Sequence, residues 1–474
     1  MNTQPTDPAE RRQASLRWRV TESAILLTLR EGAGVLIGLV GVVALTRMIG
    51  PGNFGLYAAA AAVYSYLYIL GQWGLPVFLV RREGEVPDMV LHQAFTLAGS
   101  LGVLGLIGGW LLAPGIDAWA RIPGFTSVGR MILLTLPGAL VMQVPRAVLA
   151  RRLEFKAVAR AEVAGQIGFY LAALPLAALG AGVWAAVAGW WAQSAVAWPI
   201  LYLAAGYRPR LTWDRELVQE MLRDGLSYTA ATWAWQARTL VNPLLVGRYV
   251  GVAGVGYVDL AVRFVDNLGF VKTAASRVAV AALAQVQQDR ARLRTAIGEG
   301  ARLQVLALGT LLAGFGLAAP WLISLVFGEE WLPVLVVYPF IALGALANGL
   351  FNMEVTALYV LRQNAKVLAF HLVHVGLFAG TAVLGLRSLG LVGYGWGEVA
   401  AVLSYLLLHT MIARRIGAPI LGVASLWAVA FACAVLIHPL GWWMALPLVG
   451  VALWPRTWRE VRRLILPLWH ASAG

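Results

Sequence analysis

From Ala164 to Tyr207 the chain runs 44 residues without a single charged side chain. A helix that crosses a hydrocarbon layer needs about 20 apolar residues, so this run has room for one helix out and one back. Charge-free blocks recur from Gly32 to Leu45 and from Leu97 to Ile116. In lipid each backbone N–H and C=O must be satisfied within its own segment or in a closed barrel, and blocks this long without polar alternation read as helices. The whole chain is 60% hydrophobic and 13% charged, too little polar surface to cover a soluble core of 474 residues. The fold class is an all-α polytopic membrane protein.

The apolar pattern predicts 14 spans, or 12 if the last two do not cross. They fall near 23–46, 56–80, 94–114, 129–149, 161–180 and 183–205, then 225–247, 256–275, 296–319, 334–357, 367–386 and 391–412, with a closing pair at 419–437 and 439–455. The domain reading is an N-terminal tail (1–22), a six-helix N-lobe (23–205), a linker (206–224), a six-helix C-lobe (225–412), a C-terminal helix pair (413–455) and a C-terminal tail (456–474). Within the linker, Trp213–Asp224 places Leu217, Val218, Met221 and Leu222 on one face, as an amphipathic helix at the membrane surface would. An ordinary solvated linker helix has the same pattern.

Net charge is +14, and its distribution speaks against nucleic acid. Basic residues gather at alternate connections, as at Arg81-Arg82, Arg151-Arg152 and Arg414-Arg415. That is the positive-inside pattern, and it predicts both termini on the cytoplasmic side of a cell membrane. The first 20 residues lack the apolar core and cleavage site of a signal peptide. Cys433 is the single cysteine, so no intramolecular disulfide forms.

A spaced string occurs twice. Arg47, Gly50, Phe54 and Gly55 are matched 201 residues later by Arg248, Gly251, Val255 and Gly256. Each copy ends one long apolar segment and opens another, the mark of a protein built from two similar halves, and such duplication is common in transporters. The glycines are expected to shape matching turns. Prolines at Pro76, Pro137, Pro175, Pro199, Pro243 and Pro339 predict kinks within spans.

Ionisable side chains inside spans are costly and mark candidate sites. Arg30 and Glu31 lie in the first span, and Arg238 lies mid-way along the seventh beside Gln236 and Asn242. A guanidinium cannot shed its charge by losing a proton, so Arg238 is expected to face a hydrated cavity. Asp259, Arg263 and Asp266 share a helix face; they form either a self-neutralised stripe or a cation for which an anionic substrate competes. Glu398 stands in the twelfth span, and Asn348, Asn352 and Glu354 in the tenth. His371 and His374 are three apart without a third ligand in sight, so no metal site is expected. None of the lysines follows glycine in a phosphate-binding loop, which excludes that route to ATP hydrolysis. Neither a nucleophile elbow nor an outer loop large enough for glycosyl-transfer chemistry is present, so the chain reads as a transporter and not as an enzyme.

The segments Leu45-Thr46-Arg47-Met48-Ile49-Gly50-Pro51 and Phe54-Gly55-Leu56-Tyr57 resemble the opening signature of bacterial polysaccharide flippases. These are the O-antigen and exopolysaccharide type within the multidrug/oligosaccharidyl-lipid/polysaccharide exporter superfamily. Gly74-Leu75 before Arg81-Arg82, Arg151-Arg152-Leu153-Glu154-Phe155-Lys156, and Gly256-Tyr257 with Arg263 continue the resemblance over about the first 400 residues. It implies an oligosaccharide on undecaprenyl pyrophosphate, carried outward across the inner membrane by rocking of two lobes. Arg30, Arg238 and Arg263 would then supply cationic charge for the pyrophosphate. Glu31, Asp259, Asp266 and Glu398 would be sites for proton or sodium coupling, with no bound cofactor. Membrane lipids and a glycan polymerase or glycosyltransferase complex are the implied partners. Tyr64, Tyr68 and Trp73 are either sugar-stacking aromatics or ordinary packing. Competing readings are an ion-coupled multidrug exporter, a lipid II flippase and, more distantly, a membrane glycan ligase or polymerase.

Overall fold

The computed structural model describes residues 8–82, 84–270 and 283–472. All regular elements among them are helices. They run α1 (Pro8–Gln72), α2 (Leu75–Arg81), α3 (Asp88–Ala120), α4 (Phe125–Leu133), α5 (Leu136–Val141), α6 (Gln143–Arg151), α7 (Phe155–Ala178), α8 (Val183–Ala205), α9 (Arg215–Gln236), α10 (Gly247–Val250) and α11 (Val252–Leu268). Then follow α12 (Arg290–Val326), α13 (Val334–Val360), α14 (Asn364–Leu389), α15 (Leu391–Val402), α16 (Ser404–Ile416), α17 (Gly422–Val435), α18 (Ile437–Leu440), α19 (Leu446–Leu453) and α20 (Pro455–Ser472). By length and composition, eight described helices are able to cross a membrane, and Gly422–Val435 and Trp442–Leu453 are shorter apolar ones. The charge-free α8 has 23 residues and similar reach. The helix set is consistent with 14 spans.

Glycine and proline place the breaks. The first expected span and most of the second form one continuous run, α1, bent where Gly50 leaves helical geometry at φ 73° and ψ 169°, and α2 completes the second after a break at Trp73-Gly74. Pro51 follows at the first position of the new helix, where its missing N–H costs nothing. The fourth span is three short helices, α4 to α6, with Pro137 at the start of α5. The seventh is α9, a 3₁₀ turn (Ala237–Leu240), a π turn (Asn242–Val246) and α10. Pro243 lacks the N–H that an α-helix requires there, which accounts for the change of winding.

Two expected segments take helical form. The amphipathic stretch of the linker is not a separate helix but the opening of α9, which continues into the seventh span. Asp214 starts it: its Oδ1 accepts from the backbone N–H of Glu216 at 2.9 Å and of Leu217 at 3.0 Å. The C-terminal segment expected as a tail forms α20 from Pro455 to Ser472.

The chain divides into two compact units. One comprises Met1–Ile49, Val63–Gly115 and Gly124–Thr229. In it α7 and α8 form a hairpin whose backbones approach at glycines, since a Cβ on Gly189 would stand 2.8 Å from the Phe169 carbonyl oxygen. Arg151 donates to the carbonyls of Leu79 at 2.8 Å and Arg82 at 2.7 Å, so a residue of the basic pattern also closes the end of α2. Tyr64 stacks on Tyr68 and meets Trp190 edge-on, and Trp73 donates its indole N–H to the Leu222 carbonyl. These aromatics pack and hydrogen-bond within the unit.

The other unit comprises Gly50–Ala62, Ile116–Pro123 and Ala230–Gly474. Its core gathers Leu293, Ile297, Met353, Phe370, Tyr405 and Ile412 from α12, α13, α14 and α16. α20 is held to it by Arg302–Glu460 at 2.9 Å and by the Trp427 indole N–H donating to Thr457 Oγ1 at 3.4 Å.

Candidate functional site

A polar cluster lies within the second unit where α9 gives way to the 3₁₀ turn. Trp235 lies in the last turn of α9, and Arg238 follows on the tighter turn. The Arg238 guanidinium carbon sits 4.9 Å from the centre of the Trp235 ring, a cation–π geometry. Its Nη2 faces Glu398 Oε1 of α15 at 3.4 Å, with the Glu398 side chain 3% exposed and that of Arg238 27% exposed. Tyr394, one turn earlier on α15, donates to the same carboxylate oxygen at 3.4 Å. The other guanidinium N–H groups of Arg238 make no hydrogen bond among the described residues. An arginine has five such donors, so most of the hydrogen-bonding capacity of this cation is unused among the described residues.

Two histidines also lie against Trp235. The His371 and His374 rings lie 5.0 and 5.1 Å from the Trp235 ring, centre to centre. His371 Nδ1 is 2.8 Å from the Ala231 carbonyl, which only accepts, so Nδ1 carries the proton. Ser404 spends its hydroxyl proton on the Ala401 carbonyl at 2.7 Å and therefore accepts from His374 Nδ1 at 2.9 Å. Both histidines are thus engaged as hydrogen-bond donors. No group of three metal-ligating side chains occurs among the described residues.

The second charged cluster is on α11. Arg263 Nε contacts Asp259 Oδ2 at 2.6 Å, and its guanidinium carbon lies 5.6 Å from the Phe54 ring centre. Asp266 is one turn further along and exposed. Arg263 and Arg238 are therefore each paired with a carboxylate, Asp259 and Glu398 respectively. The side chains of Arg30 and Glu31 lie outside the described residues.

The repeated string occupies equivalent places. Gly251 adopts φ 100° and ψ 176°, close to the Gly50 conformation, and each begins a helix. Gly55 and Gly256 do something different from the expected turn: they lie inside helices, back to back. A Cβ on Gly55 would overlap the Val252 carbonyl oxygen, and one on Gly256 would lie 2.6 Å from the Pro51 carbonyl oxygen. Each glycine therefore meets the residue four before the other. Arg248 stacks on Trp119 at 4.2 Å and donates to its carbonyl at 2.8 Å, while Arg47 is exposed.

Sequence reasoning did not single out one further pair. Glu354 of α13, fully buried, contacts Nδ1 of His409 of α16 at 2.7 Å. Both positions fall within predicted spans, and ionisable character at those depths was the signal that could have joined them.

A helical, multi-pass membrane protein with the carboxylate-paired cations Arg238 and Arg263 in one unit is the class these features define. The family profile described as "Polysaccharide biosynthesis protein" matches residues 44–336, and the chain belongs to that family. It is 25% identical to the succinoglycan biosynthesis transport protein ExoT of Rhizobium meliloti (strain 1021) over 74% of each chain. It is 22% identical to the lipopolysaccharide biosynthesis protein WzxC of Escherichia coli (strain K12), covering 88% of this chain and 84% of that one. Among solved structures, the inward closed conformation of the lipid II flippase MurJ matches with a TM-score of 0.71 at 11% identity, covering 94% of this chain and all of that one. At that identity the likeness concerns the fold.

Proposed function

We propose that this chain is a flippase that moves an undecaprenyl-pyrophosphate-linked oligosaccharide across the bacterial inner membrane by alternating access, for lipopolysaccharide or exopolysaccharide synthesis. Membership of the polysaccharide biosynthesis family supports the glycan part of the reading. The observation that carries the rest is Arg238: a permanent cation in a broken span, stacked on Trp235 and with most of its N–H donors unused. Pyrophosphate and sugar cannot enter hydrocarbon without replacement of their hydration. A guanidinium whose carboxylate partner can be exchanged for phosphate oxygens offers that replacement, because both are planar or multi-oxygen acceptors suited to its fork. Arg263, paired with Asp259, offers the same exchange. Asp259, Asp266 and Glu398 are the carboxylates at which ion coupling is proposed, and the basic connections favour both termini on the cytoplasmic side. A glycan polymerase or glycosyltransferase complex is the proposed partner.

The test is a vesicle assay with a fluorescent lipid-linked oligosaccharide, comparing the unchanged chain with Arg238→Gln and Arg263→Gln. Transport is expected to fall at least tenfold in each variant, about 1.4 kcal/mol in the barrier. Unchanged transport in both would end the cationic reading. Replacement of an essential peptidoglycan flippase by this chain would point to lipid II as the cargo instead.

A further inference from the structure

Glu354 differs from the other buried carboxylate of its unit in what neutralises it. Glu398 faces Arg238, whose charge is permanent. Glu354 faces His409, which carries charge only when protonated. Its second oxygen, Oε2, is buried and has no hydrogen-bond partner. A bare carboxylate held this way keeps a negative charge away from water with one oxygen unserved by any donor, an arrangement that costs several kcal/mol or more.

Among the described residues, the surrounding elements bring no unpaired charge to it. From α12 the buried side chain nearby is neutral Gln304, which bonds Asn352 of α13, while Arg302 is taken by Glu460. On α11, Asp259 and Arg263 pair with each other. On α14, His371 and His374 turn to Ala231 and Ser404, and on α15 Glu398 turns to Arg238. α17 carries no charged residue, and the other charges of α16, Arg414 and Arg415, lie in its last turn. Among the described residues no fixed charge is left to cancel that of Glu354, and a proton on the pair would do so.

We infer that Glu354 and His409 form a single-proton binding site buried in the helical core of this unit. The ring provides the route. His409 Nδ1 is occupied by Glu354 Oε1, whereas the His409 side chain is 32% exposed, which leaves Nε2 as the nitrogen for exchange. In the unloaded state Nδ1–H donates to the carboxylate. A proton arriving at Nε2 makes imidazolium, and Nδ1 passes its proton to Oε1. The ring is then neutral with its hydrogen on Nε2, the carboxyl is neutral, and the pair has gained one proton with no other bond changed. His409 lies seven residues before Ile416, about 10 Å from the basic end of α16.

The site is independent of what the chain transports, so its test reads protons and not cargo. In lipid nanodiscs, infrared difference spectra across a pH titration should show a carboxylic C=O band. That band is expected to vanish in Glu354→Gln, persist in Glu398→Gln, and titrate at a different pH in His409→Gln. Proton uptake should fall by one per chain in Glu354→Gln. A band and an uptake untouched by Glu354→Gln would overturn the proposal. Should that variant fail to fold, a hydrophobic carbodiimide on the unchanged chain decides the matter: peptide mapping must find the acid-favoured adduct on Glu354, and an adduct only elsewhere refutes the site.

Discussion

Gly55 and Gly256 lie against each other so closely that neither position has room for a methyl group. They are the last residues of the two copies of the same string, 201 positions apart, and each faces the backbone four residues before its counterpart. Alanine at either position has to push helix from helix, because the obstacle is a carbonyl and not a movable side chain. Overpacking of this kind costs about 1–3 kcal/mol. Gly52, on the same helix with nothing within 4 Å of an added Cβ, is the control. Thermal unfolding in detergent should show Gly55→Ala and Gly256→Ala destabilised and Gly52→Ala close to the unchanged chain.

Arg238 and Glu398 make a sharper prediction in combination than singly. Removing the carboxylate in Glu398→Gln leaves a cation in a largely apolar setting, and Arg238→Met leaves a buried carboxylate. Each single change should cost about 1–3 kcal/mol, and the double change less than their sum. A double-mutant cycle by unfolding measures the difference. Strict additivity would mean that the 3.4 Å contact does no energetic work.

The hold on α20 is also measurable. Arg302 and Glu460 meet at 2.9 Å in a partly buried position, where an ion pair is screened less than at the surface. Glu460→Ala should speed hydrogen exchange of the α20 amides about tenfold, equivalent to about 1.4 kcal/mol of local stability. Glu299 pairs with Arg463 in a far more exposed contact, so Glu299→Ala should have little effect.

Asp289 supplies a pH dependence. Its side chain accepts from the backbone N–H groups of Ala291 and Arg292 at the start of α12. The Arg292 amide first, with help from that of Ala291 and the Arg292 charge, holds its carboxyl below the usual carboxylate range, against an opposing desolvation that ranks second. A folded-state pKa lower than the unfolded one means that the cap is fully present above the ordinary value, and is lost as pH falls through the lowered one. The protection factors of the Ala291 and Arg292 amides, corrected for intrinsic exchange, should therefore be high at neutral pH and fall below about pH 4. Asp289→Ala should show the lower protection at every pH.

Arg238 stood out in the sequence because a charge inside an apolar span is costly wherever the chain folds. Its partner could not be read, since Glu398 is 160 positions away and no local spacing joins a 3₁₀ turn to a later helix. The same applies to Glu354 and His409, 55 positions apart and meaningful only together. Gly50 and Gly251 were legible because turn geometry is local; the Gly55–Gly256 contact was not, because helix approach is a tertiary property. α20 was hidden by its arginines, which matched the pattern of a basic tail while Trp458 and Val461 already kept helical spacing.

Gly50 and Gly251 bend the backbone in nearly the same way at the same point of each copy. Each conformation lies where a side chain is strained, so replacing either glycine costs about 1–3 kcal/mol. The molecule therefore contains its own matched experiment. One lesion can be made twice in a single polypeptide, in the same local geometry and with the same residue. Any difference between the two outcomes reports how far the halves have drifted apart in the work they do, and no second protein is needed for the comparison.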